Sequence, residues 1–392
     1  MDPKARWLLP EGVDELLPPH AEEAERLRRR LLDLYGGWGY ELVMPPFIEY
    51  LEALELGAGQ ELDVQTFKLT DQLSGRTLGV RPDITPQAAR IDAHQLRREG
   101  VTRLCYIGSV LQARPEGPAG SRNAVQVGAE LYGHDGLESD LEVLGLMLET
   151  VRSAGIEALC LDLGHVGILR GLLAGVALEP ATEGAVFAAL QRKATDEIEA
   201  LLREAGVGAE LTGWLTALAR LHGGVEVLDE AQRRLAGAGD GVERAIEALR
   251  RVASSLAVRE PGLELHFDLG ELRGYRYHTG LVFAAYTPGH SQEVARGGRY
   301  DGIGRAFGRL RPSTCYRTDV KTLLALGRRH EVGGEEGGIL APWRDEPALI
   351  ERVAALRRAG ERVVWQLPGE AGRHGCDRRL VERDGTWAVE AN

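Results

Sequence analysis

The chain has few cysteines, and their arrangement would neither staple a fold nor bind a metal. Cys105, Cys160, Cys315 and Cys376 are the four present, and none belongs to a CxxC pair or a zinc-type spacing. That excludes a disulfide scaffold or zinc ribbon and predicts reduced thiols. An excess of positive charge is also missing: 47 Lys and Arg face 59 Asp and Glu, a net charge of −12. Such a balance argues against a protein that coats nucleic acid or a membrane surface. No apolar run approaches the roughly 18 residues a membrane helix needs, and no signal-peptide pattern opens the sequence, so a soluble cytoplasmic protein is expected. Tandem repeats, low-complexity tracts and Rossmann, Walker or HExxH strings are absent. His134, His165 and His290 have no metal-ligand spacing, so neither metal nor cofactor is expected. What remains, at 392 residues, is long enough for two or three domains with a full-sized core.

Within that frame one stretch carries unusual polarity. The run LELHFDLGELRGYRYHTGLVFAAY starts at Leu263, and EVARGGRYDG follows it. Leu263, Leu265, Phe267 and Leu269 alternate, so on a strand they share one face while Glu264, His266 and Asp268 share the other. Arg273, Tyr277, His278 and Thr279 crowd the next turn, and Arg299 and Asp301 sit among glycines, which let backbone or ligand come close. A charged, hydrogen-bonding face on a sheet whose other face is apolar predicts a small-molecule pocket.

Helical spacing of Ala24, Leu27, Leu31, Leu34 and Tyr35, with Glu22, Glu23 and Glu25 near the start, predicts an N-terminal helix. Short alternating runs around DQLSGR predict a hairpin over 66–81, followed by a helix to Leu96 and strands near 104–112 and 124–132. From Gly167 the character changes. Helices are predicted over 190–202, 211–221 and 242–257, which makes 167–256 an all-helical insertion in a core built from 1–166 and 257–330. A further helix is expected near 318–329. Gly333, Gly334, Gly337 and Gly338 mark a linker, and 338–392 reads as a small C-terminal α/β domain with a hairpin at Asp384-Gly385, carrying more charge pattern than fold. The fold class expected is α+β, an antiparallel sheet flanked by helices.

Two further motifs bear on chemistry. Arg81-Pro82-Asp83-Ile84-Thr85-Pro86 sets a carboxylate and a hydroxyl two residues apart, suited to gripping an ammonium group, and it reads equally as a helix start. Gln126 and Glu130 lie four apart on the predicted strand QVGAELYG and so share a face. Glu130, between Ala129 and Leu131, is costly to bury without a partner.

Together these strings resemble the histidyl-tRNA synthetase family of the class II synthetase fold. RPDIT is similar to that family's RPEGT, QVGAELYG to its Q-x-G-x-E strand, and RGYRYHTGLVF to RGLDYYTGTVF, while GGRYDG matches outright. GYELVMPPFIEY resembles the first class motif, whose helix and strand build a dimer interface. The likeness runs in order from about Leu9 to Leu326 and includes a helical insertion. It implies a histidine site in which Asp83, Thr85 and Gln126 hold the ammonium group, Glu130 and His278 face the imidazole, Tyr277 forms a wall and Arg273 lies near the carboxylate. That assignment suits an imidazole N–H, which wants an acceptor, and an ammonium, which wants several oxygens. Asp83 stands where the family has a longer Glu, and His278 where it has a Tyr.

The adenylate half does not carry over. Activation of an amino acid requires arginines that neutralise charge developing on the α-phosphate. By the resemblance, the arginine of the second class motif falls at Gln112, and a neutral amide cannot replace a guanidinium. In the third motif a glycine becomes Asp319, the acid becomes Lys321 and the stacking arginine becomes Thr322. The resemblance therefore narrows to ATP phosphoribosyltransferase regulatory subunits, which look like synthetases that lost aminoacylation and associate with a short catalytic subunit. It implies a non-catalytic role in the first step of histidine biosynthesis, the partner condensing ATP with phosphoribosyl pyrophosphate. Histidine would be the effector for feedback inhibition, and a homodimer core would sit inside a hetero-octamer. No membrane and no tRNA are expected as partners. An active synthetase-like amino-acid ligase and a stand-alone histidine- or tRNA-binding protein stay open as alternatives.

Overall fold

The computed structural model describes residues 7–56, 64–115, 120–176, 178–271, 274–275, 277–327 and 337–391. The chain divides into two compact units, one up to Gly327 and one from Arg328 onward.

The first unit is organised by a nine-stranded sheet in the order β1-β5-β6-β12-β11-β10-β7-β9-β8. Its strands are β1 (Glu41–Leu42), β5 (Thr102–Ser109), β6 (Val125–Tyr132), β7 (Cys160–His165), β8 (His222–Gly223), β9 (Glu264–Asp268), β10 (Leu281–Tyr286), β11 (Ala295–Arg299) and β12 (Ser313–Asp319). Only β1 with β5 and β7 with β9 run parallel; the other neighbours are antiparallel. A separate three-stranded sheet, β2 (Ile48–Tyr50), β4 (Thr77–Val80) and β3 (Phe67–Thr70), contains the hairpin expected around DQLSGR.

Alternation gives the large sheet two unlike faces. On β6, Val127, Ala129 and Leu131 are buried in the main core, as are Leu161 and Leu163 on β7 and Phe267 on β9. The helices His20–Gly37 and Leu137–Ser153 contribute Leu27, Leu31, Leu144, Met147 and Leu148 to the same core. Between them lies a ring of three buried hydroxyls. Thr150 Oγ1 is 2.7 Å from Tyr316 Oη, Tyr316 donates to Tyr35 Oη at 2.8 Å, and Thr150 also reaches Tyr35 at 3.3 Å. Thr150→Val keeps the volume but removes two of the ring's three hydrogen bonds in the core, leaving only that between Tyr316 and Tyr35, so urea unfolding should show a loss of about 1–3 kcal/mol.

The insertion departs from expectation in two places. A helix over 190–202 is interrupted: helices span Pro180–Gln191 and Thr195–Glu204, and Lys193 between them has φ 57°. That kink lets Lys193 Nζ donate to both oxygens of Asp268, at 2.5 and 2.6 Å, which ties the helices to β9. Nor is the segment all helical, because β8 pairs with the end of β9. The last helix of the unit starts later than expected, at Val320, because Thr318 and Asp319 still belong to β12.

The second unit is a four-stranded sheet ordered β14-β13-β15-β16, from β13 (Gly338–Pro342), β14 (Val363–Gln366), β15 (Cys376–Arg383) and β16 (Thr386–Ala391). Its hairpin turns at Asp384 and Gly385, with φ 48° and 74°, the geometry of a two-residue type I′ turn. The tail was expected to be a small α/β domain carrying more charge pattern than fold. Instead Ile339, Ala341, Leu349, Val353, Val363, Leu380 and Trp387 form a core of their own, with Leu349 and Val353 supplied by the helix Pro347–Arg358.

Candidate functional site

The polar face of the large sheet floors a cavity of about 630 Å³. Register explains why the chemistry gathers there. Across β6, β12 and β11, Gln126 pairs with Asp319, Gly128 with Arg317, Glu130 with Cys315, and Arg317 in turn with Arg296. Asp83, Thr85, Tyr277, His278, Arg317 and Cys315 line the cavity, and Arg114, Arg296, Asp162 and Glu271 line it as well.

Asp83 and Thr85 sit at the mouth of a short helix, Thr85–Arg90, so RPDITP both starts a helix and presents two oxygens. Asp83 Oδ1 accepts from Thr85 N at 2.9 Å and from Gln126 Nε2 at 2.8 Å, while Gln126 Oε1 accepts from Ile84 N at 2.9 Å. Arg317 Nη1 lies 3.1 Å from Asp83 Oδ2. A carboxylate paired with a guanidinium on one cavity wall is complementary to the ammonium and carboxylate of a free amino acid.

Tyr277 and His278 follow a tight turn in which both of their N–H groups donate to Gly274 O, at 2.8 and 2.7 Å. Gly274 has φ +65°, and a Cβ there would fall 2.6 Å from His278 Cδ2; a Cβ on Gly298 would fall 2.9 Å from His278 Nδ1. The two glycines therefore form the slot that admits the imidazole. His278 Nδ1 lies 3.2 Å from Arg299 O, and burial pulls its pKa down to about 4. The Tyr277 hydroxyl is buried with no hydrogen-bond partner among the described residues.

Two residues expected to touch the ligand do not line the cavity. Glu130 is 0 % exposed: one oxygen accepts from Tyr106 at 3.1 Å and the other is held by Tyr300. Burial pushes its pKa up to about 8. Gln126 is likewise buried and serves Asp83 and Ile84. Strand β6 thus braces the wall rather than forming it. Arg273, expected near the carboxylate, lies outside the described residues.

Arg299 and Asp301 also turn away from the cavity. Arg299 reaches Asp140, Ser139 and the carbonyls of His134 and Gly136, and Asp301 accepts from Thr279 Oγ1 and Ser313 N. Of the glycines beside them, Gly297 lets Cys315 O and the Phe283 ring come close, and Gly298 does the same for Leu281 O and the His278 ring.

None of Gln112, Asp319 and Thr322 lines the cavity. Gln112 is buried, with its backbone paired to Arg122. Asp319 caps the helix Val320–Leu326, accepting from Lys321 N, Thr322 N and Thr322 Oγ1, and it also accepts from Val125 N at 2.8 Å. Lys321 donates to Asp14 at 2.8 Å. These substitutions have become joints between β12, β6 and the N-terminal segment. The arginines facing the cavity, Arg114, Arg296 and Arg317, are at other positions. Sequence reasoning gave no site role to Asp162, Glu271 or Arg296; the Asp in CLDLGH, flanked by leucines in a strand, was the signal available for the first of them. Among the described residues no cluster of His, Cys, Asp and Glu could hold a metal ion, and no helix is long and apolar enough to cross a membrane.

A mixed sheet flanked by helices, with a cavity on its polar face and the RPDIT, QVGAE and GGRYDG elements around it, defines a class II synthetase-like protein of the histidyl type. Comparison with known proteins agrees, since the histidyl-tRNA synthetase family matches residues 12–323. The ATP phosphoribosyltransferase subunit HisZ C-terminal domain matches residues 336–390. The ATP phosphoribosyltransferase regulatory subunit of Alkalilimnicola ehrlichii is 60 % identical over 97 % of this chain and 96 % of its own length. The chain therefore belongs to the ATP phosphoribosyltransferase regulatory subunit family, whose members are not themselves the catalytic subunit. Among solved structures, an ATP phosphoribosyltransferase regulatory subunit/histidyl-tRNA synthetase from Bacillus halodurans superposes with a TM-score of 0.81 at 26 % identity, covering 93 % of this chain and 94 % of that one. A chain of the ATP phosphoribosyl transferase complex from Thermotoga maritima shares the fold, with a TM-score of 0.58 at 20 % identity over 78 % of this chain and 98 % of that one.

Proposed function

We propose that the cavity takes free histidine and that its occupancy is reported to a short-form ATP phosphoribosyltransferase catalytic chain, this chain supplying no catalytic group. The observation that carries the reading is the pairing of Asp83 with Arg317 on the wall next to Thr85, Tyr277 and His278. The ammonium group settles on Asp83 and Thr85, the carboxylate on Arg317, and the imidazole against Tyr277 and His278. The capping role of Asp319 and the burial of Gln112 support the absence of adenylation. Feedback inhibition then requires histidine to prefer one of two states of the complex, with a coupling of about 1–3 kcal/mol being typical.

The assembly proposed is a homodimer core within a hetero-octamer. Its support is the apolar surface over 42–50, where Leu42, Met44, Phe47, Ile48 and Tyr50 are 42, 72, 45, 43 and 37 % exposed. Contiguous apolar patches of this kind mark interaction sites. The net charge of −12 supports a role without tRNA.

Calorimetric titration with L-histidine tests the site. Saturable binding is expected, weakened at least about tenfold in Asp83→Ala by loss of a charge-assisted contact. Absence of heat and of thermal shift at millimolar histidine would sink the sensor. Copurification of the full chain with the short catalytic chain tests the partner, and histidine-dependent exchange of pyrophosphate into ATP would overturn the non-catalytic reading.

A further inference from the structure

The connection between β9 and β10 has two sides, and only one of them faces the cavity. Glu271, Gly274, Tyr277 and His278 line the cavity, whereas Tyr275, set among them in sequence, does not. The Tyr275 ring meets Phe187 of the helix Pro180–Gln191 edge-on, with 4.6 Å between centroids and 64° between planes. The guanidinium of Arg170, from the helix Gly167–Leu172, lies 5.2 Å from the centre of the same ring and donates to Tyr275 O at 2.7 Å. The start of the connection is held from the same side. Lys193 Nζ donates to Asp268, Leu269 N donates to Leu221 O at 3.0 Å, and a Cβ on Gly270 would fall 3.2 Å from Leu218 O.

Tyr275 directly follows Gly274, whose carbonyl accepts from Tyr277 N and His278 N at 2.8 and 2.7 Å. Gly274 also stands against the His278 ring, where a Cβ would fall 2.6 Å from Cδ2. A shift of Tyr275 therefore carries Gly274 with it, and with Gly274 the turn that presents Tyr277 and His278. Phe187, Arg170 and Lys193 line no part of the cavity, so their grip on the connection is separate from any contact with a ligand.

Building on the histidine reading above, we infer that Tyr275 is a positioning residue that joins the site to the helices Gly167–Leu172 and Pro180–Gln191. With Phe187 and Arg170 it holds the connection in the conformation that presents Tyr277 and His278, and a ligand bound on one side steadies the helices on the other. Such coupling is reciprocal, because each side biases the same closed conformation. It gives the reported occupancy a route, from the polar face of the sheet outward through these two helices.

The test is hydrogen exchange, read by mass spectrometry on the full chain with and without L-histidine, beside calorimetric titration. In free Tyr275→Ala and Phe187→Ala, peptides containing the Tyr277 and His278 amides should exchange roughly three- to tenfold faster than in the wild type, the factor carried by one aromatic pair. Histidine should bind these variants more weakly, by up to about the same factor, because fewer chains present the site. Tyr275→Phe keeps the ring and the carbonyl and should recover most of the difference. In the wild type, saturating histidine should slow exchange in Gly167–Leu172 and Pro180–Gln191 at least about threefold more than in His20–Gly37, which packs on the opposite face of the sheet and reports global stability. That excess should vanish in Tyr275→Ala, whereas a tyrosine that served packing alone would lower the urea midpoint and leave the excess in place. Wild-type exchange at Tyr277 and His278 in both alanine variants, with histidine binding intact, overturns the inference and spares the proposed function. So does histidine that binds the wild type but protects the two helices no more than His20–Gly37. No histidine binding at all overturns the proposed function and the coupling built on it.

Discussion

Arg299→Ala should cost about 3–5 kcal/mol of unfolding free energy, the penalty for leaving one half of a buried ion pair behind. Arg299 is 8 % exposed, and its guanidinium lies 2.9 Å from one oxygen of Asp140 and 3.2 Å from the other. The same group donates to Ser139 Oγ at 2.9 Å and to the carbonyls of Gly136 and His134 at 3.0 and 3.3 Å. Five acceptors at the start of one helix are thus served by one planar fork on β11. Asp140 shows what the variant would lose: burial already raises its pKa, and Arg299 is the chief opposing influence. Arg299→Lys should recover only a minor part, because a single ammonium cannot span these directions. Urea denaturation gives the measurement, and a loss below about 1 kcal/mol, the range of an exposed pair, would refute the structural role. The variant should also weaken ligand binding, because the Arg299 carbonyl orients His278 and accepts from Thr279 N at 2.7 Å.

That role shows where sequence reading stops. The period-two pattern correctly separated Glu264, His266 and Asp268 from their apolar neighbours, since alternation follows from the pleat alone. It said nothing about which strands would lie beside β9. The strand ends up next to β7 and β8, where Asp268 holds Lys193 and His266 lies 2.9 Å from Asp162, so the polarity braces the edge of the cavity. Gln126 and Glu130 do share a face, as their spacing required. Which side chains would seal that face depends on Tyr106 from β5 and on Tyr300, the residue after β11, brought together by pairings separated by up to 170 positions. The GGRYDG string was legible as a motif, but its arginine and aspartate were assigned to a pocket because glycines suggest close approach. Here the close approach is between neighbouring strands at Gly297 and to the His278 ring at Gly298, while Arg299 and Asp301 point elsewhere. The helical insertion was visible from its spacing except at Lys193, whose left-handed backbone goes with a tertiary contact to Asp268. Long-range partners, not local preferences, decided each of these outcomes.

The same buried carboxyl sets an unusual pH dependence. Glu130 has an ordinary pKa of 4.5 and is pushed up to about 8 in the folded chain, so the native state retains a proton that the unfolded state has released. Its contribution is complete below about pH 4.5 and is lost as pH rises toward 8, for a total on the order of 5 kcal/mol. His165 and His278 act in the opposite direction. Both are buried and neutral, with pKa values lowered from 6.5 to about 4, so their contributions stand above pH 6.5 and disappear as pH falls through 4. Each is worth roughly 3 kcal/mol by the same conversion. Between about pH 4.5 and 6.5 the two histidines outweigh the single glutamate and stability rises with pH; above 6.5 only the glutamate still changes, and stability falls. These three groups therefore place the maximum near pH 6.5, with a decline of about 2 kcal/mol by pH 8. Glu130→Gln, which is neutral at every pH and fits between the same hydroxyls, should remove the alkaline decline and steepen the acid limb, because the glutamate no longer offsets the two histidines between about pH 4.5 and 6.5. Urea unfolding at pH 5.5, 6.5 and 8 measures both limbs below the range in which phenols titrate, with the thiols of the unfolded chain, ordinary pKa about 8.5, adding only a small decline at pH 8. An alkaline decline of equal size in the Gln variant would show that Glu130 is already ionised in the native state, its charge carried by Tyr106 and Tyr300.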